Sequence, residues 1–216
     1  MKGKPMHVST RLRSGALVGV LALAGGLALP TSAFAAEDPV VKEDPIRFET
    51  GHIDAFNLSL NADDSVRLAL KEDVTGSHVL RTPESVELAV RSEAFSTSLP
   101  AGSLPSGAPD TFWHLPLTQD SNLIWPGWDT QGVQTAYPGA KTEIDVTVDG
   151  PGDVFLWSQG SFGTPSSLLV GGGYKLPASI NQAFPAHTHA NWAFTEAGTY
   201  KLTASARVAS ADGSKT

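Results

Sequence analysis

The chain has 216 residues, with 15 Lys or Arg against 22 Asp or Glu, six His, no Cys and a formal net charge of −7. That balance excludes a nucleic-acid binder, which needs a basic surface, and disfavours anionic lipid headgroups. Without cysteine the fold must hold by packing alone, and with methionine only at Met1 and Met6 a soft-ligand Cu(I) site is disfavoured.

Residues 1–35 read as a secretory signal peptide. Lys2, Lys4, Arg11 and Arg13 give a positive start, Ala16 to Leu29 an apolar middle, and Ala33-Phe34-Ala35 a small-residue cleavage signature, so cleavage is expected before Ala36. The predicted location is outside the cell, with no membrane insertion after cleavage. The remainder keeps 11 basic against 22 acidic residues, a net charge of −11, which suits a cationic ligand such as a metal ion. Residues 36–45 are polar and contain proline, and read as a linker.

Strand signals begin at Ile46. From Arg47 to Leu60 apolar and polar residues largely alternate, with a break near Phe56 that suggests a bulge. Asn61-Ala62-Asp63-Asp64 reads as a hairpin loop, and Val66, Leu68 and Leu70 mark the return strand. Asp73 to Ser77 turns the chain, Val86 to Arg91 gives another strand, and residues 98–110 form a Pro/Gly/Ser-rich loop. Phe112 to Pro116 reads as a short strand, and Asn122 to Asp129 as an irregular aromatic loop. Lys141 to Asp149 is the cleanest strand, with Val154 to Gln159 as its expected partner and apolar on both faces, as an inner strand would be. His187 to Phe194 reads as one strand with His187, His189 and Asn191 on a common face, and Tyr200 to Val208 as a half-buried strand.

Short strands at near-regular spacing, with Gly/Pro turns and almost no helical period, predict an all-β fold. The expectation is an immunoglobulin-like β-sandwich of short antiparallel strands over residues 46–208. Tyr200 after Gly198-Thr199 matches a tyrosine corner, whose phenol bonds back to nearby backbone. Residues 209–216 read as a tail with no strand after it. Either the sandwich lacks its last strand, or a partner or later sequence supplies it.

Chemistry concentrates on histidine. His187 and His189 at i and i+2 in a strand point the same way with Cα atoms roughly 6–7 Å apart, close enough for both rings to meet one ion. Gly51-His52-Ile53-Asp54 repeats that spacing with a nitrogen and a carboxylate. Together these residues form a ligand set for Zn²⁺ or Mn²⁺, with His114 as a further candidate. Nucleophile elbow, H-E-x-x-H helix and phosphate loop are all absent from the sequence, so a non-catalytic protein is expected. Trp125 and Trp128, with Asn191 and Trp192, are candidate ligand contacts. In an alternative reading the tryptophans, Trp113 included, stack on sugar rings of cell-wall glycan.

Gly51-His52-Ile53-Asp54, Leu123 to Thr130 and His187 to Phe194 together resemble the actinobacterial surface-anchored protein domain family, also called choice-of-anchor M domain proteins. The resemblance spans roughly residues 46–208. It implies an exported, cell-surface β-protein that relays a solute to an ABC-type importer of the metal-transporting kind. ABC transporter components or other surface proteins are thus the implied partners. His52, Asp54, His187, His189, Asn191 and Trp192 fall within the matching motifs. No sorting signal or terminal apolar helix is present in this sequence, so a soluble secreted form is expected.

Overall fold

The alternating segments do become strands, and no α-helix forms among the described residues, only four single 3₁₀ turns. The computed structural model describes residues 38–97 and 99–216; the expected signal peptide and cleavage site lie outside them. In chain order the strands are β1 (Val41–Lys42), β2 (Ile46–Phe48), β3 (Gly51–Leu60), β4 (Val66–Glu72), β5 (Val79–Arg81) and β6 (Val86–Leu88). Next come β7 (Phe95–Ser96), β8 (Phe112–Leu115), β9 (Ile124–Asp129), β10 (Lys141–Asp149), β11 (Val154–Gln159) and β12 (Pro165–Ser166). The chain ends with β13 (Lys175–Leu176), β14 (Ala178–Gln182), β15 (His187–His189), β16 (Asn191–Phe194) and β17 (Lys201–Ala209).

The first large sheet runs β1-β5-β4-β3-β9-β15. Its β1–β5 and β3–β9 pairs are parallel and the others antiparallel. A three-stranded antiparallel sheet runs β14-β10-β17, and a third sheet runs β12-β11-β16-β8-β7 with β13 beside β11. All three feed one core. Ile53, Phe56, Leu58, Ile124 and Trp128 from the first meet Ile144, Val146 and Ile180 from the second and Leu156 and Trp192 from the third. The fold is an all-β sandwich, as the alternation predicts.

A smaller cluster of Phe112, Phe155, Trp157 and Ala193 lies on the other side of the third sheet, covered by Leu99, Leu104 and Ala108. The proline-rich loop is therefore a lid over apolar surface. Strand β11 carries Val154 and Leu156 into the main core and Phe155 and Trp157 into this second one, which explains its apolar character on both faces. It does not pair with β10 as expected. The Gly150-Pro151-Gly152 turn carries the chain into another sheet, and β10 pairs with β14 and β17 instead.

The bulge near Phe56 is present as a register shift in β3 against both neighbours. One extra residue there moves the core positions from Ile53 to Phe56 and Leu58, while His52 and Asp54 keep to the opposite face. Tyr200 Oη donates to the Glu196 carbonyl at 2.8 Å and accepts from the Glu196 amide at 3.3 Å, completing the tyrosine corner. Residues 38–45 are not a free linker. Strand β1 pairs with β5, Asp38 accepts from the Ala62 amide, and Asp44 lies 3.3 Å from Arg81. Beyond β17 the tail folds back, with the Ser210 amide on the Lys215 carbonyl and the Lys215 ammonium over Tyr137.

Candidate metal centre

Three adjacent strands build the site on the face of the first sheet away from the core. Parallel pairing sets His52 of β3 opposite Trp125 of β9 and Asp54 opposite Gly127, while antiparallel pairing sets His189 of β15 opposite Gly127 and His187 opposite Asp129. His52 and Asp54 thus face His187 and His189 across β9, a gap of roughly 9–10 Å between backbones at the usual strand spacing. The rings must meet over the middle strand. Gly127 permits this, because a Cβ there would lie 2.7 Å from Nδ1 and 2.9 Å from Cε1 of His189 and would collide with the Thr188 carbonyl.

The outcome is a tight convergence of ligand atoms. His52 Nε2 lies 3.0 Å from His187 Nε2 and 3.1 Å from His189 Nε2, and the last two are 3.2 Å apart. Asp54 Oδ1 is 2.8 Å from His187 Nε2 and 3.6 Å from His52 Nε2. A tetrahedral ion with metal–nitrogen bonds of about 2.0–2.1 Å holds its nitrogens about 3.3–3.4 Å apart, so only slight relaxation separates this triangle from a coordination shell. His52, Asp54, His187 and His189 form a group able to hold a metal ion.

Surrounding groups fix which nitrogen faces inward. His52 Nδ1 lies 2.8 Å from Asp73 Oδ2, which makes Nδ1 the protonated nitrogen and leaves the Nε2 lone pair aimed at the cluster. Asp73 Oδ1 in turn accepts from the His78 amide at 2.6 Å. Burial alone would raise the Asp73 pKa, but the His78 amide and the His52 ring outweigh it and hold the carboxyl below its ordinary value. His189 is pinned by stacking on Trp125, with ring centroids 3.5 Å apart and planes 5° from parallel, and Trp125 Nε1 donates to the Leu117 carbonyl. Burial, then the nearby His187 and His52, push the His189 pKa down to about 4. The imidazole is neutral at physiological pH, the form a metal needs.

Asp54 is wholly buried, and neither of its oxygens has a well-aligned hydrogen bond among the described residues. Charge surrounds it instead. Lys71 Nζ stands 3.0 Å from Asp54 Oδ2 and 2.6 Å from Asp129 Oδ2. Burial would lower the Lys71 pKa, and the two carboxylates more than reverse this, so the ammonium is held above its ordinary value.

Other expected site residues lie elsewhere. His114 is on β8 of the third sheet, stacked on Trp157, with Nε2 3.1 Å from Asn191 Oδ1, and burial pushes its pKa down. It is a packed ring outside the cluster. Asn191 does not share a strand with the histidines, because the chain leaves the first sheet at Ala190 and enters the third at Asn191. There its amide oxygen accepts from the Leu117 amide and its Nδ2 donates to the Trp157 carbonyl, so it ties loop to core. Trp128 and Trp192 are core residues at 0 % and 2 % exposure, and Trp128 Nε1 donates to Gln182. Neither can stack on a sugar. Trp125 does border the site, but as the wall behind His189.

Asp73, Gly127, Lys71 and Asp129 are the participants the sequence reading missed. The signal for Gly127 was a glycine flanked by Trp-Pro and Trp-Asp, read as an irregular loop when it is the middle strand. Comparison of the chain with protein-family models, with curated proteins and with solved structures finds no match.

Proposed function

We propose that the protein binds one divalent transition-metal ion, Zn²⁺ or Mn²⁺, through His52, Asp54, His187 and His189. The observation that carries this reading is the packing of three imidazole Nε2 atoms within 3.0–3.2 Å of one another beside a buried carboxylate. With Nδ1 of His52 protonated, its Nε2 lone pair faces the other two nitrogens at near-contact distance. Such an arrangement repels itself until a cation sits among the lone pairs.

Charge supports a divalent ion. Three carboxyl groups, Asp54, Asp73 and Asp129, stand around the cluster against the single Lys71 ammonium, so acid outnumbers base there by two. Four protein donors fill a tetrahedral shell, which favours holding an ion over activating water on it. His187 is the accessible member, its side chain 36 % exposed, and gives an ion a way in and out. In this reading the protein is an exported, non-catalytic carrier, export being read from the leader-like residues 1–35, that hands its ion to an ABC-type importer. The motif resemblance supplies that last step.

Elemental analysis and calorimetry on the purified protein test the reading. Wild type should bind one equivalent of Zn²⁺ or Mn²⁺, and the double variant His187→Ala/His189→Ala should lose that binding. Equal affinity in both proteins removes the proposal.

A further inference from the structure

We infer that Lys71 fixes the coordination number of the site at four, and thereby its preference for Zn²⁺ over Mn²⁺. The inference deepens the metal-binding reading and rests on it. Lys71 pairs with Asp54 across β4 and β3, so both side chains rise on the same face of the sheet. Its ammonium is clamped between two carboxylates, 3.0 Å from Asp54 Oδ2 and 2.6 Å from Asp129 Oδ2. Asp129 is itself held, since its Oδ1 accepts from the Gln131 amide at 2.8 Å.

The clamp gives the two oxygens of Asp54 different neighbours. Oδ2 belongs to Lys71, and Oδ1 is the oxygen that faces His187 and His52. A carboxylate held in this way offers an ion one oxygen, giving three nitrogens and one oxygen in a tetrahedral set. Zn²⁺ is satisfied by that number and by imidazole donors. Mn²⁺ favours more ligands and more oxygen, and would need both oxygens of Asp54 or added water. Lys71 is a positioning residue in this scheme: it touches a ligand, not the ion. With Lys71 gone, Asp54 is free to turn and bind through both oxygens, and one positive charge no longer opposes the incoming ion. The site then widens toward oxygen-preferring ions.

Co²⁺ reports the difference directly, because its visible absorption is intense when four-coordinate and weak when five- or six-coordinate. Wild type, Lys71→Met and Asp129→Asn are titrated with Co²⁺, and Zn²⁺ is then competed against Mn²⁺. Wild type should give the intense four-coordinate spectrum. Lys71→Met should give a weaker spectrum of higher coordination and a Zn²⁺-to-Mn²⁺ affinity ratio reduced about tenfold or more. Asp129→Asn loosens the same clamp and should move both readouts in the same direction, so the inference stays testable if Lys71→Met does not fold. A Lys71 that only supported the sheet would lower the melting temperature and leave spectrum and ratio alone, and that result overturns the inference while metal binding stands. A weak, high-coordination spectrum in wild type overturns it equally. Wild-type protein that takes up neither Co²⁺ nor Zn²⁺ ends the metal-binding reading and this inference together.

Discussion

Replacing Gly127 with alanine is the sharpest perturbation of the site, because it adds one carbon to a residue that ligates nothing. That carbon would stand 2.7 Å from Nδ1 and 2.9 Å from Cε1 of His189, against ordinary contacts of 3.4 Å or more. The ring would have to retreat by about 0.5–0.7 Å to restore van der Waals contact. Trp125 blocks the retreat, since it is stacked flat on the ring at 3.5 Å. Metal–ligand distances tolerate only about 0.2 Å, so His189 should drop out of the shell. Losing one of four donors should weaken Zn²⁺ binding about 100-fold, or about 2.8 kcal/mol. The new carbon also presses on the Thr188 carbonyl in the neighbouring strand, at a cost of about 1–3 kcal/mol of stability. Competition with a chelator of known affinity measures the first effect and denaturant unfolding of the metal-free protein the second. If Gly127→Ala folds and binds Zn²⁺ within about threefold of wild type, the rings do not converge over Gly127 and the geometric argument fails.

Asp73→Asn removes the charge that orients His52, and chelator competition should show Zn²⁺ affinity falling about tenfold with the fold intact by circular dichroism. Replacing His114 with Leu should leave metal affinity within about threefold of wild type, because the ring lies outside the cluster. The same change should cost about 1–3 kcal/mol in urea unfolding, since Asn191 loses a buried partner. The pH response follows from His189: its folded pKa of about 4 lies below the ordinary imidazole value of 6.5, so the unfolded chain takes up the proton first as pH falls. That contribution to stability is complete above about pH 6.5 and is lost on the way down to about pH 4. Metal-free wild type should therefore lose more stability between pH 7 and pH 5 than His189→Gln, and parallel losses in the two proteins would show that His189 is not held neutral.

Local alternation made half of the site legible. His187 with His189, and His52 with Asp54, each lie two residues apart in a strand, and period two puts each pair on one face. The bulge at Phe56 and the corner at Tyr200 were legible for the same reason, since both are statements about neighbours in sequence. Pairing between distant strands was not. Joining β3 to β15 requires β9 between them, and Pro126 with Gly127 makes β9 look like a loop, because both residues disfavour strand interiors. Asp73 was hidden differently. It sits 21 residues from His52 in a turn whose sequence explains itself without any metal. His114 misled because a histidine between aromatic and aliphatic neighbours reads the same whether it ligates an ion or packs on a tryptophan. The sequence groups Asn191 and Trp192 with the histidines because a switch of sheets at Ala190 leaves no mark on an alternating pattern.

The position of the site means that an ion held there would also matter to the fold. Strand β15 is three residues long and, among the described residues, lies at the edge of its sheet with β9 as its one neighbour in the ladder. One residue later the same chain enters the third sheet as β16, so β15 is the last piece of the first sheet before the chain crosses to another. An ion held by both histidines of β15 and by His52 and Asp54 of β3 would fasten that edge to the sheet interior across β9. Such an ion binds the folded chain alone, since the unfolded chain does not bring residues 52 and 187 together. At a free concentration 100 times its dissociation constant it would add about 2.7 kcal/mol to stability. On the proposed reading, loss of the ion would remove this fastening, and metal-free protein should show faster amide exchange in β15 than the Zn²⁺-loaded form.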